Sequence, residues 1–306
     1  MEYVRIGTRS SRLALWQANL IALALSTKYP EVKVELVHVT TKGDKILDSP
    51  LSKVGGKGLF TKELEVKMLE GEIDLAVHSL KDVPAELPPE FTIAAVIKRA
   101  EPFDAFVSNK YKTFQELPRG AKVGTSSLRR RAQLLAVRPD LQVDNLRGNV
   151  DTRLKKLDSS DFDGIILAAA GLKRLGHERR ISEILPTSVM LPAVGQGALA
   201  VETLSGNVEV RNMLNFLDDA ETRAATDAER AFLKVVEGGC QVPVGVFAKV
   251  EGKKITVEAV IASIDGQNII RDKLSGKVED SPSLGESLAI KLLDNGGREI
   301  LSAVLG

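Results

Sequence analysis

One short pattern occurs twice in this chain. Val4-Arg5-Ile6-Gly7-Thr8 is a strand-like run ending in Gly-Thr, with Arg9, Ser10 and Ser11 just beyond it. Ala121-Lys122-Val123-Gly124-Thr125-Ser126-Ser127-Leu128-Arg129-Arg130-Arg131 repeats that order. Each copy reads as a strand, a Gly-Thr turn and a helix opened by serine, whose hydroxyl accepts from an otherwise unpaired amide. Seven residues are few enough for coincidence to produce the match. As a true repeat, it restricts the chain to two similar α/β lobes, each presenting a helix start to a shared cleft.

The stretch Asp74-Leu75-Ala76-Val77-His78-Ser79-Leu80-Lys81-Asp82-Val83-Pro84 is the first candidate for chemistry. Ile73 to Val77 reads as a short buried strand behind a Gly71 turn, and Pro84 stops any helix that follows. Lys81 and Asp82 then stand just past the carboxyl end of a strand, where open α/β sheets bind ligands. A carboxylate there can stabilise developing positive charge or move a proton. Taken locally, the same pattern reads more readily as a surface Lys-Asp pair closing a turn. His78, on the strand itself, reads as a hydrogen-bonded structural residue.

Ser10 or Ser11 can cap a first helix with Leu13, Leu20, Leu23 and Ala24 among its apolar positions. Val32 to Val37 is a second strand, and Phe60 to Leu69 a second helix. Between them, Thr41 to Leu59 is a polar loop with Lys53-Val54-Gly55-Gly56-Lys57-Gly58. It lacks the Gly-Lys-Ser/Thr ending of a phosphate-binding loop and reads as a flap or lid. Phe60 could stack on a ring, although a core role suits it better.

Near Lys98 to Phe103 the chain changes unit. Leu146-Arg147-Gly148-Asn149-Val150-Asp151-Thr152-Arg153 is another strand end, glycine turn and helix start. Gly164 to Ala170 is a continuous apolar run, as a strand buried on both faces should be. Leu191-Pro192-Ala193-Val194-Gly195-Gln196-Gly197 reads as the return crossing, and Ala198 to Val201 as a strand rejoining the first sheet. The expected division is residues 1–97 with 198–217, residues 98–197, and residues 218–306, with a hinge at the two crossings. The last unit is a small α+β domain: a helix over Thr222 to Val236, a Gly238-Gly239-Cys240 loop, strands at Val244 to Val250, Ile255 to Ile261 and Ile269 to Leu274, and closing helices from about Leu284 to Leu305.

A length of 306 residues suits this division. Lys+Arg (42) and Asp+Glu (41) nearly cancel, so no overall field draws the chain to nucleic acid or membrane. Aromatic residues make up 4%, too few for a base-stacking surface. A single cysteine forms no internal disulfide and no multi-cysteine metal site, and three scattered histidines do not suggest zinc, so no metal is expected. The start lacks the basic-then-apolar form of a signal peptide, and no apolar run could span a bilayer. A cytoplasmic monomer is expected, although a removed transit peptide would leave no trace.

Arg9, Arg129, Arg130, Arg147 and Arg153 all fall at strand ends or helix starts. Helix starts favour acidic side chains, so arginines there run against the dipole. Together they ask for a bound polyanion, because guanidinium forks suit carboxylates and phosphates; singly, each could be a solvated helix face. Cys240 is the other singular feature. A lone cysteine is most often a small core residue, but a Gly-Gly-Cys loop allows another group to come close. His38, His78 and His177 show no local arrangement with it, so an attachment point for a covalent group is the remaining functional reading.

His78-Ser79-Leu80-Lys81-Asp82-Val83-Pro84, Gly124-Thr125-Ser126-Ser127-Leu128-Arg129-Arg130, Leu146-Arg147-Gly148-Asn149, Leu191 to Gly197 and Glu237-Gly238-Gly239-Cys240-Gln241-Val242-Pro243 strongly resemble the porphobilinogen deaminase (hydroxymethylbilane synthase) family. The motifs occur in order over essentially the whole chain. One departure is Arg12, where the family often has proline; it receives no ligand role.

The resemblance implies an α/β fold of two similar lobes like periplasmic binding proteins, plus a small α+β third domain. It implies a transferase of tetrapyrrole and heme biosynthesis that joins four porphobilinogen molecules head to tail, releases ammonia and yields hydroxymethylbilane. It implies a dipyrromethane cofactor in thioether linkage to Cys240. By motif, Asp82 is catalytic. Lys81, Thr125, Ser126, Ser127, Arg129, Arg130 and Gly148 bind the cofactor. Arg9, Ser11, Arg147, Arg153 and Gln196 bind substrate. The acetate and propionate of each ring explain so many arginines in a nearly neutral protein. Loss of ammonia leaves an azafulvene-like cation, which the Asp82 carboxylate would stabilise. The partner implied is a small molecule. A two-lobed binding protein for a small carboxylate or phosphate is the alternative.

Overall fold

The computed structural model describes residues 2–45, 58–159, 161–236 and 242–305. Most of the expected lid (46–57) and the cysteine loop (237–241) lie outside the described residues.

Strand β1 (Tyr3–Thr8) leads to helix α1 (Arg12–Lys28) and strand β2 (Lys33–His38). A single helical turn, α2 (Lys42–Lys45), and helix α3 (Lys62–Leu69) precede β3 (Leu75–Ser79) and β4 (Phe91–Ile97). Next come β5 (Asp104–Val107), β6 (Lys122–Gly124), α4 (Leu128–Val137), β7 (Gln142–Asp144), α5 (Val150–Ser159), β8 (Gly164–Ala168), α6 (Ala169–Arg174) and β9 (Glu183–Ile184). The chain continues through β10 (Leu199–Leu204), α7 (Val208–Leu214) and α8 (Ala220–Val235). It ends with β11 (Val244–Glu251), β12 (Lys254–Ala262), β13 (Ile269–Lys277), α9 (Ser281–Leu292) and α10 (Arg298–Leu305).

Two five-stranded sheets have matching topology. The first runs β2-β1-β3-β10-β4 and the second β7-β6-β8-β5-β9. In the first, β2, β1 and β3 are parallel, and β10 lies antiparallel between β3 and β4. In the second, β7, β6 and β8 are parallel, and β5 lies antiparallel between β8 and β9. β6 therefore corresponds to β1, and the two Gly-Thr pairs, expected as turns, occupy the same strand ends in the two sheets. The antiparallel member of each sheet is the strand that follows a crossing. The repeat seen in seven residues is thus a repeat of two whole sheets.

The repeated glycine has a packing cause. A Cβ on Gly124 would approach Leu146, Ile165 and Phe162 at 3.0–3.1 Å, and one on Gly7 would collide with Ile73 and lie 2.8 Å from Leu64. A side chain at either position would require these packed neighbours to shift.

Residues 2–45, 58–100 and 198–223 pack as one compact unit, and residues 101–197 with 224–305 as another. In the first unit, α1 buries Ala14, Gln17, Ala18, Ile21 and Leu25, a single helical face, against Ile6, Leu75, Val77 and Val201. Each fully buried Ile or Leu there contributes about 1.5–3 kcal/mol. The other unit holds the second lobe and the three-stranded antiparallel sheet β11-β12-β13. Val246, Ala248, Ile255, Val257 and Ile261 alternate inward from that sheet onto Phe232, Leu288 and Leu292 of α8 and α9.

Several expected boundaries move. The strand expected over Ile73 to Val77 runs over Leu75–Ser79, because Asp74 instead uses its carboxylate to accept from the Arg5 amide (2.7 Å) and guanidinium (2.8 Å). The helix expected from Phe60 starts at Lys62, after a Gly58–Thr61 turn. The run Gly164 to Ala170 is strand only to Ala168; Ala169 and Ala170 open α6, consistent with alanine's preference for helix.

Candidate active site

Lys81 and Asp82 lie in a 3₁₀ turn, Leu80–Asp82, directly after β3. Leu80 and Val83 are buried with Val96, Ala198 and Ala200, while Lys81 and Asp82 are only half-buried. The Leu80 amide donates to Ala198 O (3.0 Å), and the Val83 amide closes the turn onto Leu80 O (3.1 Å). Two apolar anchors thus hold a carboxylate and an ammonium at the sheet's carboxyl edge. Beneath them, His78 Nε2 is 2.9 Å from Glu202 Oε2, and both side chains are buried. Gln17, also buried, donates to Ser79 Oγ (2.9 Å).

In the same unit Ser11, not Ser10, caps α1, accepting from the Ala14 amide at 3.3 Å. The Arg9 guanidinium lies 4.2 Å above the centre of the Phe60 ring. Phe60 is half-buried, so its ring supports a cation instead of filling the core.

The other unit carries Thr125, Ser126, Ser127, Arg129 and Arg130 just past β6, and Arg147, Gly148 and Arg153 just past β7. Thr125 Oγ1 accepts from the Ser127 amide (3.2 Å), Ser126 Oγ donates to Leu146 O (3.0 Å), and Ser127 caps α4 by accepting from the Arg130 amide (3.4 Å). The three hydroxyls therefore shape their own turn, and each keeps hydrogen-bonding capacity. Arg129 and Arg130 are 5% and 6% exposed. Both pair with the fully buried Asp104: Arg129 Nη1 with Oδ2 (2.7 Å), Arg130 Nη2 with Oδ1 (2.7 Å). Burial lowers the pKa of Arg129; Asp104 opposes that shift and Arg130 adds to it. Gln196, expected to bind substrate, is itself buried and donates to Pro102 O (2.7 Å) and Asp104 Oδ1 (3.1 Å).

Arg147 and Arg153 flank the glycine turn before α5. Arg153 Nε donates to Gly148 O (2.8 Å), and Asn149 Oδ1 accepts from the Thr152 amide (2.9 Å). Gly148 has φ +117°, and a Cβ there would lie 2.6–2.7 Å from Thr152 side-chain atoms. Gly148→Ala should therefore cost about 1–3 kcal/mol. Thermal unfolding checks this, and an unchanged midpoint would mean that the turn relaxes freely.

Besides Glu202, three buried or half-buried charged groups beside the crossings escaped the sequence reading. Asp104 is one. Arg174 is another: it donates to Gly197 O at 2.7 Å, and burial lowers its pKa to about 10. The third is Glu229, fully buried on α8, which accepts from the Gly195 amide (2.7 Å) and the Ala248 amide (2.9 Å). The acid of Asp104, just after the crossing Pro102-Phe103, was the available signal; nothing local marked the other two.

Half-buried Lys81 and Asp82 follow a strand of one sheet, and hydroxyls with paired arginines follow a strand of the other, in an α/β chain of two similar lobes. The comparisons make the class specific. Residues 4–212 match the model described as porphobilinogen deaminase, dipyromethane cofactor binding domain, and residues 224–294 the porphobilinogen deaminase C-terminal domain. The chain is 52% identical over 301 residues to the porphobilinogen deaminase of Geobacter sulfurreducens (98% of this chain, 94% of that one). It is 50% identical over 301 residues to that of Desulforamulus reducens (98% and 97%). The chain belongs to the porphobilinogen deaminase family. Among solved structures, the methionine binding protein MetQ aligns with 71% of this chain and 89% of its own at TM-score 0.46 and 14% identity.

Proposed function

We propose that this protein condenses four porphobilinogen molecules head to tail, with loss of ammonia, into hydroxymethylbilane on a covalently held dipyrromethane. The observation that carries the reading is family membership over nearly the whole chain, with both family models matched. The donor set also fits the group. Hydroxyls, amides and guanidiniums gather at the β6–α4 turn, and Asp104 offsets only one of the two arginine charges there. When bound, the dipyrromethane would supply a primer whose free ring position takes the first substrate ring.

The chain's own residues do the rest. Cys240 tethers the primer through its sulfur. Lys81, Thr125, Ser126, Ser127, Arg129 and Arg130 hold the primer's acetates and propionates, and Gly148 lets backbone approach it. Arg9, Ser11, Arg147, Arg153 and Gln196 serve the acid groups of substrate and growing chain. Asp82 accepts from pyrrole N–H groups and stabilises the positive charge left on the substrate when ammonia departs. Among the described residues no helix is long and apolar enough to cross a membrane. We place the protein in the cytoplasm as a monomer acting on a small molecule.

Intact-protein mass spectrometry tests this reading. Protein made where porphobilinogen is present should exceed its sequence mass by one dipyrromethane and should consume added porphobilinogen. A chain of sequence mass with no turnover would favour a two-lobed receptor. Replacing Arg153 by methionine should stall elongation, since its acid partner then lacks a guanidinium. Trapped enzyme–intermediate species should accumulate on a native gel, and their absence at normal rates would remove Arg153 from the site.

A further inference from the structure

We infer that Asp104 is the positioning residue for Arg129 and Arg130, aiming both guanidiniums at the acidic side chains of the primer. The inference rests on the cofactor reading above. Asp104 opens β5 and has no exposed surface. Oδ2 accepts from Arg129 Nη1 (2.7 Å), while Oδ1 accepts from Arg130 Nε (3.1 Å) and Nη2 (2.7 Å) and from Gln196 Nε2 (3.1 Å). Backbone carbonyls complete the hold: Leu191 O accepts from Arg129 Nη1 (2.6 Å) and Ile166 O from Arg130 Nη1 (2.9 Å). Free arginine side chains carry considerable rotamer entropy. Here that freedom is removed before any ligand arrives, which is the condition for preorganised recognition. One carboxylate faces two guanidiniums, so a single positive charge is left for an acidic group to meet.

Charge and orientation make opposite predictions for Asp104→Asn. The substitution keeps the shape and makes the cluster one unit more positive. If charge alone governed, an anionic primer would be taken up faster. If orientation governs, uptake slows, because an amide cannot receive both arginines on two acceptor oxygens. A merely structural Asp104 would destabilise the chain with and without primer alike.

The experiment starts from chain produced in cells unable to form porphobilinogen. Porphobilinogen is then added, covalent mass gain is followed by mass spectrometry, and thermal midpoints are measured before and after. For Asp104→Asn, mass gain should slow by about tenfold or more, and the rise in midpoint on primer attachment should shrink. Unchanged or faster mass gain overturns the inference. Should this variant fail to fold, Asp104→Asn/Arg130→Gln restores the original net charge and is compared with Arg130→Gln alone. Slower uptake in the double variant supports the inference, and equal uptake overturns it. Failure of the unsubstituted chain to gain mass would instead overturn the cofactor reading.

Discussion

Asp82→Asn should leave a folded protein whose porphobilinogen turnover is lower by about 10²–10³-fold, equivalent to about 3–4 kcal/mol of transition-state stabilisation. Folding should survive because Leu80 and Val83 carry the burial of this turn, whereas Asp82 is only half-buried. Asparagine keeps an acceptor for a pyrrole N–H but loses the charge that offsets the substrate cation. Asp82→Glu keeps the charge and shifts its position, so it should fall between the two. Rates are compared per cofactor-bearing chain, counted by mass, beside thermal midpoints. Near-normal turnover in the asparagine variant would leave Asp82 without its assigned role.

The second large effect is on Cys240, which lies outside the described residues. Cys240→Ala should produce a chain of sequence mass even when porphobilinogen is abundant, and turnover should be lost with the primer. The thiol is the chain's only cysteine, so no other side chain can form a thioether in its place. A Cys240→Ala protein that still carries a covalent pyrrole group would move the attachment elsewhere. Because Asp82→Asn leaves the thiol intact, the two variants separate loss of the primer from loss of charge stabilisation.

Much of the fold was legible because its signals are local. The strands of the last domain follow periodicity, and the Gly-Thr echo marked equivalent strand ends in two sheets with matching topology. The helix of residues 12–28 was marked by its serine cap, but Leu20 and Leu23 of its expected apolar positions are exposed, and Ala14, Ala18, Ile21 and Leu25 are buried instead. The alanine run at residues 168–170 misled, since uninterrupted apolar character does not say where strand gives way to helix. At the site, residue types pointed to acid-binding chemistry, but side-chain partners did not follow. Ser11 and Ser127 cap helices, and Gln196 lies inside, bonded to Asp104.

Sequence alone determined the chemical inventory: one aspartate past a strand, arginines at helix starts, a cysteine between glycine and glutamine, and the family these motifs mark. Tertiary structure decided how that inventory is held. Asp104 meets Arg129 and Arg130 across 25 and 26 residues, and His78 meets Glu202 across 124. Such pairings arise when distant strands bring their side chains into one dry interior. There a charge must find a counter-charge or a hydrogen bond, and no local pattern states which partner it finds.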